Sequence, residues 1–270
     1  EKELGKSWER EMLALNEQAP TVLRANTLKT TPRELIADLN DENVEAFTIK
    51  NYPDAIQLAE KKNVFLTSAF KDGFFEVQDA SSQKIGELLD VQEGMRVVDA
   101  CAGAGGKTLH LAALMKNKGQ IIALDIYEWK LTELKRRAKR AGAHNIETRL
   151  ISDNKVIKRL HEKADRLLID APCSGLGVLK RNPDSKWKID QAFIDRIKGE
   201  QQQILQDYSK ILKKGGQMIY ATCSILPSEN NEQVKLFLSN NPDFTLVKDQ
   251  KIMPSEGYDG FYMALIKRNA

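Results

Sequence analysis

Met95-Arg96-Val97-Val98-Asp99-Ala100-Cys101-Ala102-Gly103-Ala104-Gly105-Gly106-Lys107-Thr108 is the stretch whose reading decides the fold. Its first part is a short apolar run closed by an acid, the pattern of a buried strand over 95–100. Its second part is a glycine-rich turn that opens a helix over 105–115. The alternation then repeats. Strands are expected over 120–126, 145–151, 166–171 and 217–222, and helices over 81–89, 128–141, 191–212 and 228–238, with a closing strand pair at 244–247 and 260–267. Short apolar strands separated by helices specify a mostly parallel sheet covered on both faces, a doubly wound α/β domain.

Upstream the pattern is different. A helix over 7–15 is stopped by Pro20, and a strand follows over 22–26. Thr31 caps a helix over 31–39 with Pro32 at its first position. Strands near 45–49 and 55–58 complete a small α+β module. The expected division is 1–75 for helix and module, and 76–270 for the α/β domain.

Composition sets limits on function. Hydrophobic residues make up 41% of the 270 and charged residues 29%, which suits a chain with a sizeable core and excludes a disordered or collagen-like one. No apolar run approaches the roughly 18–20 residues that span a bilayer, so no membrane association is expected. Cys101, Cys173 and Cys223 are odd in number and far apart, which argues against a disulfide framework and for a reducing, cytoplasmic setting. No His/Cys cluster has metal-ligand spacing, so no metal is expected. The formal charge of +3 says little about partners. The chain opens on Glu1, not Met, and is expected to be either a processed or a cloned piece.

In a doubly wound sheet, ligands bind beyond the carboxyl ends of the strands. Asp99 and Asp125 end the first two strands, and a carboxylate at Asp125 suits ribose hydroxyls. The glycine-rich turn offers close backbone approach and free N–H groups at a helix start. By itself it leaves several readings open. A phosphate-binding P-loop would need glycine where Cys101 stands, and a dinucleotide turn would need glycine where Thr108 stands. A tight turn without a ligand is the plainest alternative. Two further motifs bear on the choice. Asp170-Ala171-Pro172-Cys173-Ser174-Gly175 follows one strand, and Ala221-Thr222-Cys223-Ser224-Ile225 follows the next. Adjacent strand ends would bring Asp170, Cys173 and Cys223 to one crevice, although a single cysteine is more often core filler.

Together with Leu23-Arg24-Ala25-Asn26-Thr27-Leu28-Lys29, Val77-Gln78-Asp79-Ala80-Ser81-Ser82 and Lys180-Arg181-Asn182-Pro183-Asp184, these motifs resemble the Sun/Fmu family of S-adenosylmethionine-dependent RNA (cytosine-5) methyltransferases. The resemblance implies a class I methyltransferase domain behind a small RNA-recognition-like module. It implies Cys223 as the nucleophile, Cys173 as the group that assists release, and Asp170 on the cytosine N3/N4 edge and bordering the cofactor. It places S-adenosylmethionine on Cys101, Ala102, Gly103, Ala104, Gly105, Gly106 and Lys107, its ribose on Asp125 and its adenine near Asp153. The alternative for Asp153 is a helix cap. Ribosomal RNA is the first expected partner, tRNA the second, and the protein is expected to act as a monomer. One departure stands out. The family's C-A-A-P-G-G-K-T has Gly103-Ala104 here in place of A-P, which is expected to loosen the turn. That departure motivates a second reading, an RNA-binding or assembly factor with a degenerate cofactor site. DNA cytosine methylation fits less well, because it would leave Cys223 unexplained.

For RNA contact, the loop 180–188 mixes cations with Trp187. The helix 128–141 carries a basic face of Lys130, Lys135, Arg136, Arg137, Lys139 and Arg140 opposite an expected core face of Trp129, Leu131, Leu134 and Ala138. Arg24, Asn26 and Lys29 read either as RNA contacts or as structural residues.

Overall fold

A computed structural model describes residues 2–270 of the chain. Its first elements are α1 (Trp8–Leu15), β1 (Val22–Ala25), α2 (Pro32–Asp41), β2 (Ala46–Ile49), β3 (Tyr52–Leu58), α3 (Ser68–Lys71) and β4 (Phe75–Val77). There follow α4 (Ala80–Leu89), β5 (Arg96–Asp99), α5 (Gly106–Leu114), β6 (Gln120–Asp125), α6 (Glu128–Ala141) and β7 (Ile146–Leu150). The last are α7 (Asn154–Lys158), β8 (Ala164–Asp170), α8 (Gln191–Tyr208), β9 (Leu212–Thr222), α9 (Asn231–Asn240), β10 (Phe244–Ile252) and β11 (Phe261–Arg268). Seven strands form a sheet in the order β10-β11-β9-β8-β5-β6-β7. Pairs β6/β7 and β8/β9 are parallel, while β11 runs antiparallel to both β9 and β10. This is the doubly wound sheet that the strand–helix alternation predicts. Among the described residues no helix is long and apolar enough to cross a membrane.

The chain falls into two compact units. One comprises Pro20–Val97 and Ala102–Ser152. It contains a four-stranded antiparallel sheet, β2-β3-β1-β4, in the chain order β-α-β-β-α-β. Thr31 starts α2 through a full capping box: its side chain accepts from the Glu34 N–H, and its own N–H donates to the Glu34 carboxylate at 2.9 Å. Leu35 and Leu39 then point from α2 onto Leu23, Ile56 and Phe75 of the sheet, all fully buried. Strand β4 carries this sheet on to Val77, past the expected boundary after residue 75, because Val77 pairs with Leu23.

The other unit comprises the N-terminal residues through Ala19, Val98–Cys101 and Asp153–Ala270. Helix α1 belongs here and not with the small sheet, since Leu15 is buried against Leu179 and Ile225. The helix expected over 191–212 stops at Tyr208, and β9 begins at Leu212, before the expected start at 217. Gly215-Gly216 invites reading as a turn, but it lies inside β9. Gly215 takes φ +76 there, and the β8/β9 register shifts between Ala164 and Arg166. The glycines serve a strand irregularity instead of a chain reversal.

A buried ion cluster stiffens the first unit. Arg24 on β1 faces Glu76 on β4 across the sheet, and Glu76 also takes Arg137 at 2.8 Å and Arg140 from α6. Arg140 in turn lies over the Phe70 ring, 3.8 Å from its centroid. A carboxylate shared by two guanidiniums is costly to remove, because both cations then stay desolvated without a partner. We expect Glu76→Ala to lower unfolding free energy by about 3 kcal/mol, measured by urea denaturation. A loss below about 0.5 kcal/mol would mean that solvent screens the cluster as it does a surface pair.

Candidate functional site

Two neighbouring strands decide where the cysteines lie. β8 and β9 are parallel with Asp170 opposite Ala221, so the loops that follow them start side by side. The Ala171 N–H donates to the Ala221 carbonyl at 2.9 Å, and the Gly177 N–H donates to the Cys223 carbonyl at the same distance. Gly177 is indispensable to this approach, because a Cβ there would meet the Gly260 carbonyl oxygen at 2.2 Å and the Cys223 carbonyl oxygen at 2.7 Å. The outcome is a contact of 3.2 Å between the sulfur atoms of Cys173 and Cys223, both half-buried and both free thiols. The hydrogen bond to Cys223, with burial and the nearby Glu229 charge, pushes the Cys173 thiol well above its usual range. Cys173 is therefore protonated at neutral pH. Asp170, half-buried, ends β8 two positions before Pro172 on the same loop.

Beneath the sulfur atoms lies a group that the sequence reading missed. The Glu229 carboxylate is fully buried and accepts from the Ser174 N–H at 2.8 Å, the Ser174 hydroxyl at 2.5 Å, the Ser224 hydroxyl at 2.6 Å and the Gln201 amide at 3.1 Å. Ser174 and Ser224 each follow a cysteine. The repeated Cys-Ser dipeptide was the available signal, but nothing in sequence spacing joins it to Glu229.

In the other unit the glycine-rich turn is braced from several sides. Asp125, 7% exposed at the end of β6, accepts the Gly103 N–H at 2.9 Å on one oxygen and the Tyr127 N–H at 2.8 Å on the other. The Ala102 N–H donates to the Leu124 carbonyl, and the Gly105 N–H to the Ala102 carbonyl. Arg137 donates to the Ala104 carbonyl at 2.8 Å, and Arg24 to the Gly106 carbonyl at 2.6 Å. The turn is thus held by side-chain hydrogen bonds where the family has a proline. Gly103 has φ +54, and a Cβ there would meet nothing within 4 Å, which leaves the turn open at that point. Gly105 (φ +90) is instead a packing glycine, since its Cβ would strike Leu134 at 2.5 Å. An open turn at a helix start, beside a carboxylate whose oxygens keep further lone pairs, fits a ligand with hydroxyl and charged groups. Lys107 is half-buried on the first turn of α5.

The remaining candidates sort by surroundings. Cys101 is half-buried just beyond β5. Asp153 is exposed and caps α7 by accepting the Lys155 N–H at 2.7 Å, as the helix-cap reading has it. Arg24 and Asn26 are structural. Arg24 is fully buried, bonded to Gln78 and Gly106, and pulled by burial to about 10, so it stays charged at neutral pH. Asn26 donates to the Gly73 and Ala141 carbonyls, and Lys29 to those of Asp72 and Arg140. Trp129, expected in the core, is 67% exposed, because it opens α6 ahead of the buried stripe Leu131, Leu134 and Ala138. Lys180 turns inward to the Pro254 carbonyl, while Lys186, Trp187 and Lys188 stay exposed.

Known proteins resemble this chain in sequence and in fold. The family model described as 16S rRNA methyltransferase RsmB/F matches residues 86–267, and an RsmF/B-like ferredoxin-like domain model matches residues 1–65. Ribosomal RNA small subunit methyltransferase B of Proteus mirabilis (strain HI4320) is 36% identical over 264 residues, covering 97% of this chain and 62% of the relative. The protein of the same name from Klebsiella pneumoniae (strain ATCC 700721 / MGH 78578) is 37% identical over 272 residues, with 97% and 62% covered. A solved methyltransferase homolog from Pyrococcus horikoshii is 28% identical with a TM-score of 0.86, covering 98% of this chain and 92% of that one. The chain therefore spans 62% of the length of these curated relatives. With a class I methyltransferase sheet, a ferredoxin-like small domain and a family match over most of its length, the chain belongs to the RsmB/F family of 16S rRNA methyltransferases.

Proposed function

We propose that the chain transfers a methyl group from S-adenosylmethionine to C5 of a cytosine in ribosomal RNA, through a covalent bond between Cys223 and C6 of the base. The observation that carries this reading is the 3.2 Å approach of Cys173 and Cys223 at the ends of adjacent parallel strands. Cytosine C5 is a weak nucleophile, and a thiolate that adds to C6 makes C5 enamine-like. S-adenosylmethionine, when bound, supplies an electrophilic methyl group on a sulfonium sulfur.

The chain's own residues divide the remaining work. The Cys223 sulfur forms the bond to C6, and the C5=C6 electron pair moves to C5, which takes the methyl. Asp170 holds the N3/N4 edge of the base. A base then removes the C5 proton, the electron pair re-forms C5=C6, and the C6–S bond breaks. Cys173 assists this release: its S–H lies against the sulfur that must leave. Asp125 and the turn 103–107 bind the cofactor, with Gly103 as the point of close backbone approach. Cys101 and Asp153 are assigned cofactor contacts on the family resemblance. The exposed Lys186, Trp187 and Lys188 suit RNA, offering two cations and a stacking ring.

With unmethylated 16S rRNA and S-adenosylmethionine, the protein should yield 5-methylcytidine in nucleoside mass spectrometry. Cys223→Ala should lower that rate at least about a thousandfold, and Cys173→Ala should accumulate a protein–RNA species that survives denaturing electrophoresis. Continued 5-methylcytidine formation by Cys223→Ala would sink the assignment. Asp125→Asn should weaken cofactor binding by about tenfold or more in calorimetry, and an unchanged affinity would remove Asp125 from the site. The Cys173 thiol should react with iodoacetamide at pH 8 more slowly than an ordinary cysteine. Because the bond to Cys223 is the largest cause of that raised proton affinity, Cys223→Ala should accelerate the reaction, followed by peptide mass spectrometry. No acceleration would mean that burial alone sets the reactivity.

A further inference from the structure

Cys173 and Cys223 are each followed by a serine, and both serines end on one carboxylate. Glu229 Oε1 takes the hydroxyls of Ser174 and Ser224, and Oε2 takes the Ser174 N–H and the Gln201 amide. Gln201 also donates to the Pro172 carbonyl at 3.0 Å, which ties the residue before Cys173 to the same point. Glu229 is itself immobilised. The Tyr220 hydroxyl donates to the Glu229 carbonyl at 2.8 Å, Thr222 bonds the Asn230 side chain, and the Asn230 amide donates to the Ser224 carbonyl at 2.9 Å. The carboxylate is therefore a fixed peg between two loops that belong to different strands.

The residue type follows from the donor count. Four donors converge on one side chain with no solvent access. A carboxylate is acceptor-only with about four lone-pair sites, whereas glutamine would bring two N–H donors into the same space. Burying a charge is expensive, and four charge-assisted hydrogen bonds offset that cost. Simple packing would not need a charge here.

We propose that Glu229 is the positioning residue of the two-cysteine centre, fastening the Cys173 and Cys223 loops to each other and so setting the distance between their sulfur atoms. This rests on the reading of Cys223 as nucleophile and Cys173 as release group. The Glu229 charge also acts on Cys173 directly, helping to keep that sulfur protonated. Glu229 touches neither RNA nor cofactor in this role. Its effect reaches the chemistry through Ser174 and Ser224.

Phenylarsine oxide tests the spacing without any methylation assay. Its As=O group reacts with two thiols to form two As–S bonds and one water, and it binds tightly only where both thiols engage the same arsenic. Glu229→Ala, and separately Ser174→Ala with Ser224→Ala, should lose at least about tenfold in arsenical affinity as the two-point gain is forfeited. Both variants should also lower kcat at least about tenfold with KM for RNA and cofactor little changed, the mark of a defect confined to the reacting step. Circular dichroism and a cooperative melt identify the folded variants. If Glu229→Ala does not fold, the double serine variant decides, since it leaves the Glu229 carboxylate in place with the Ser174 N–H and the Gln201 amide still donating to it. A folded variant with wild-type arsenical affinity and wild-type kcat overturns the proposal. Arsenical binding lost in the variants, with no protein–RNA adduct from Cys173→Ala, would uphold the clamp and overturn the methylation chemistry, so the two failures are distinct.

Discussion

Everything in the two-cysteine centre depends on the parallel pairing of β8 with β9. The register sets Asp170 opposite Ala221, so two loops distant in sequence leave the sheet at one height. A slip of one residue would turn every side chain on one strand to the opposite face and carry the sulfur atoms apart. That pairing is protected by fully buried Leu167, Leu168 and Ile169 on β8 and by Met218, Ile219 and Tyr220 on β9. The apolar strands thus serve the cysteine pair only indirectly, by making one register far more favourable than its neighbours.

A different device holds the glycine-rich turn. In many proteins such a turn is stiffened by proline or by its own backbone. Here two guanidiniums reach its carbonyls, Arg24 at Gly106 and Arg137 at Ala104, and both belong to the cluster around Glu76. Arg24 comes from the small sheet, so the α+β module contributes directly to the stiffness of a turn in the α/β portion of the same unit. The net positive charge of this buried cluster also lies behind the start of α5, where it adds to the field that favours an anionic group.

Much of the fold was legible because it is written in local patterns. The apolar runs around Val97-Val98 and Leu167-Leu168-Ile169 can only be buried strands, and Thr31-Pro32 with Glu34 announces a helix start. Gly215-Gly216 is locally ambiguous, since a bulge and a turn demand the same residue. Trp129 misled for a related reason: helical periodicity names a face, but the first turn of α6 extends beyond the surface that the face covers. The cysteines were legible as motifs, and their closeness followed from strand adjacency. Glu229 was not legible, because the four groups that donate to it come from α8 and from both cysteine loops, and only the folded chain gathers them. The roles of Arg24 and Asn26 were undecidable for the same reason, as their partners lie in segments far along the chain.

The shared carboxylate of Glu76 has an evolutionary corollary. Recombination that grafted a foreign module onto the α/β portion would have to import β1 and β4 together with a compatible pair of arginines on α6. Otherwise the graft would inherit uncompensated cations at its seam. Modular as the chain looks, its front piece is not freely interchangeable, and variation in this lineage should fall on loops outside that seam instead of on the junction itself.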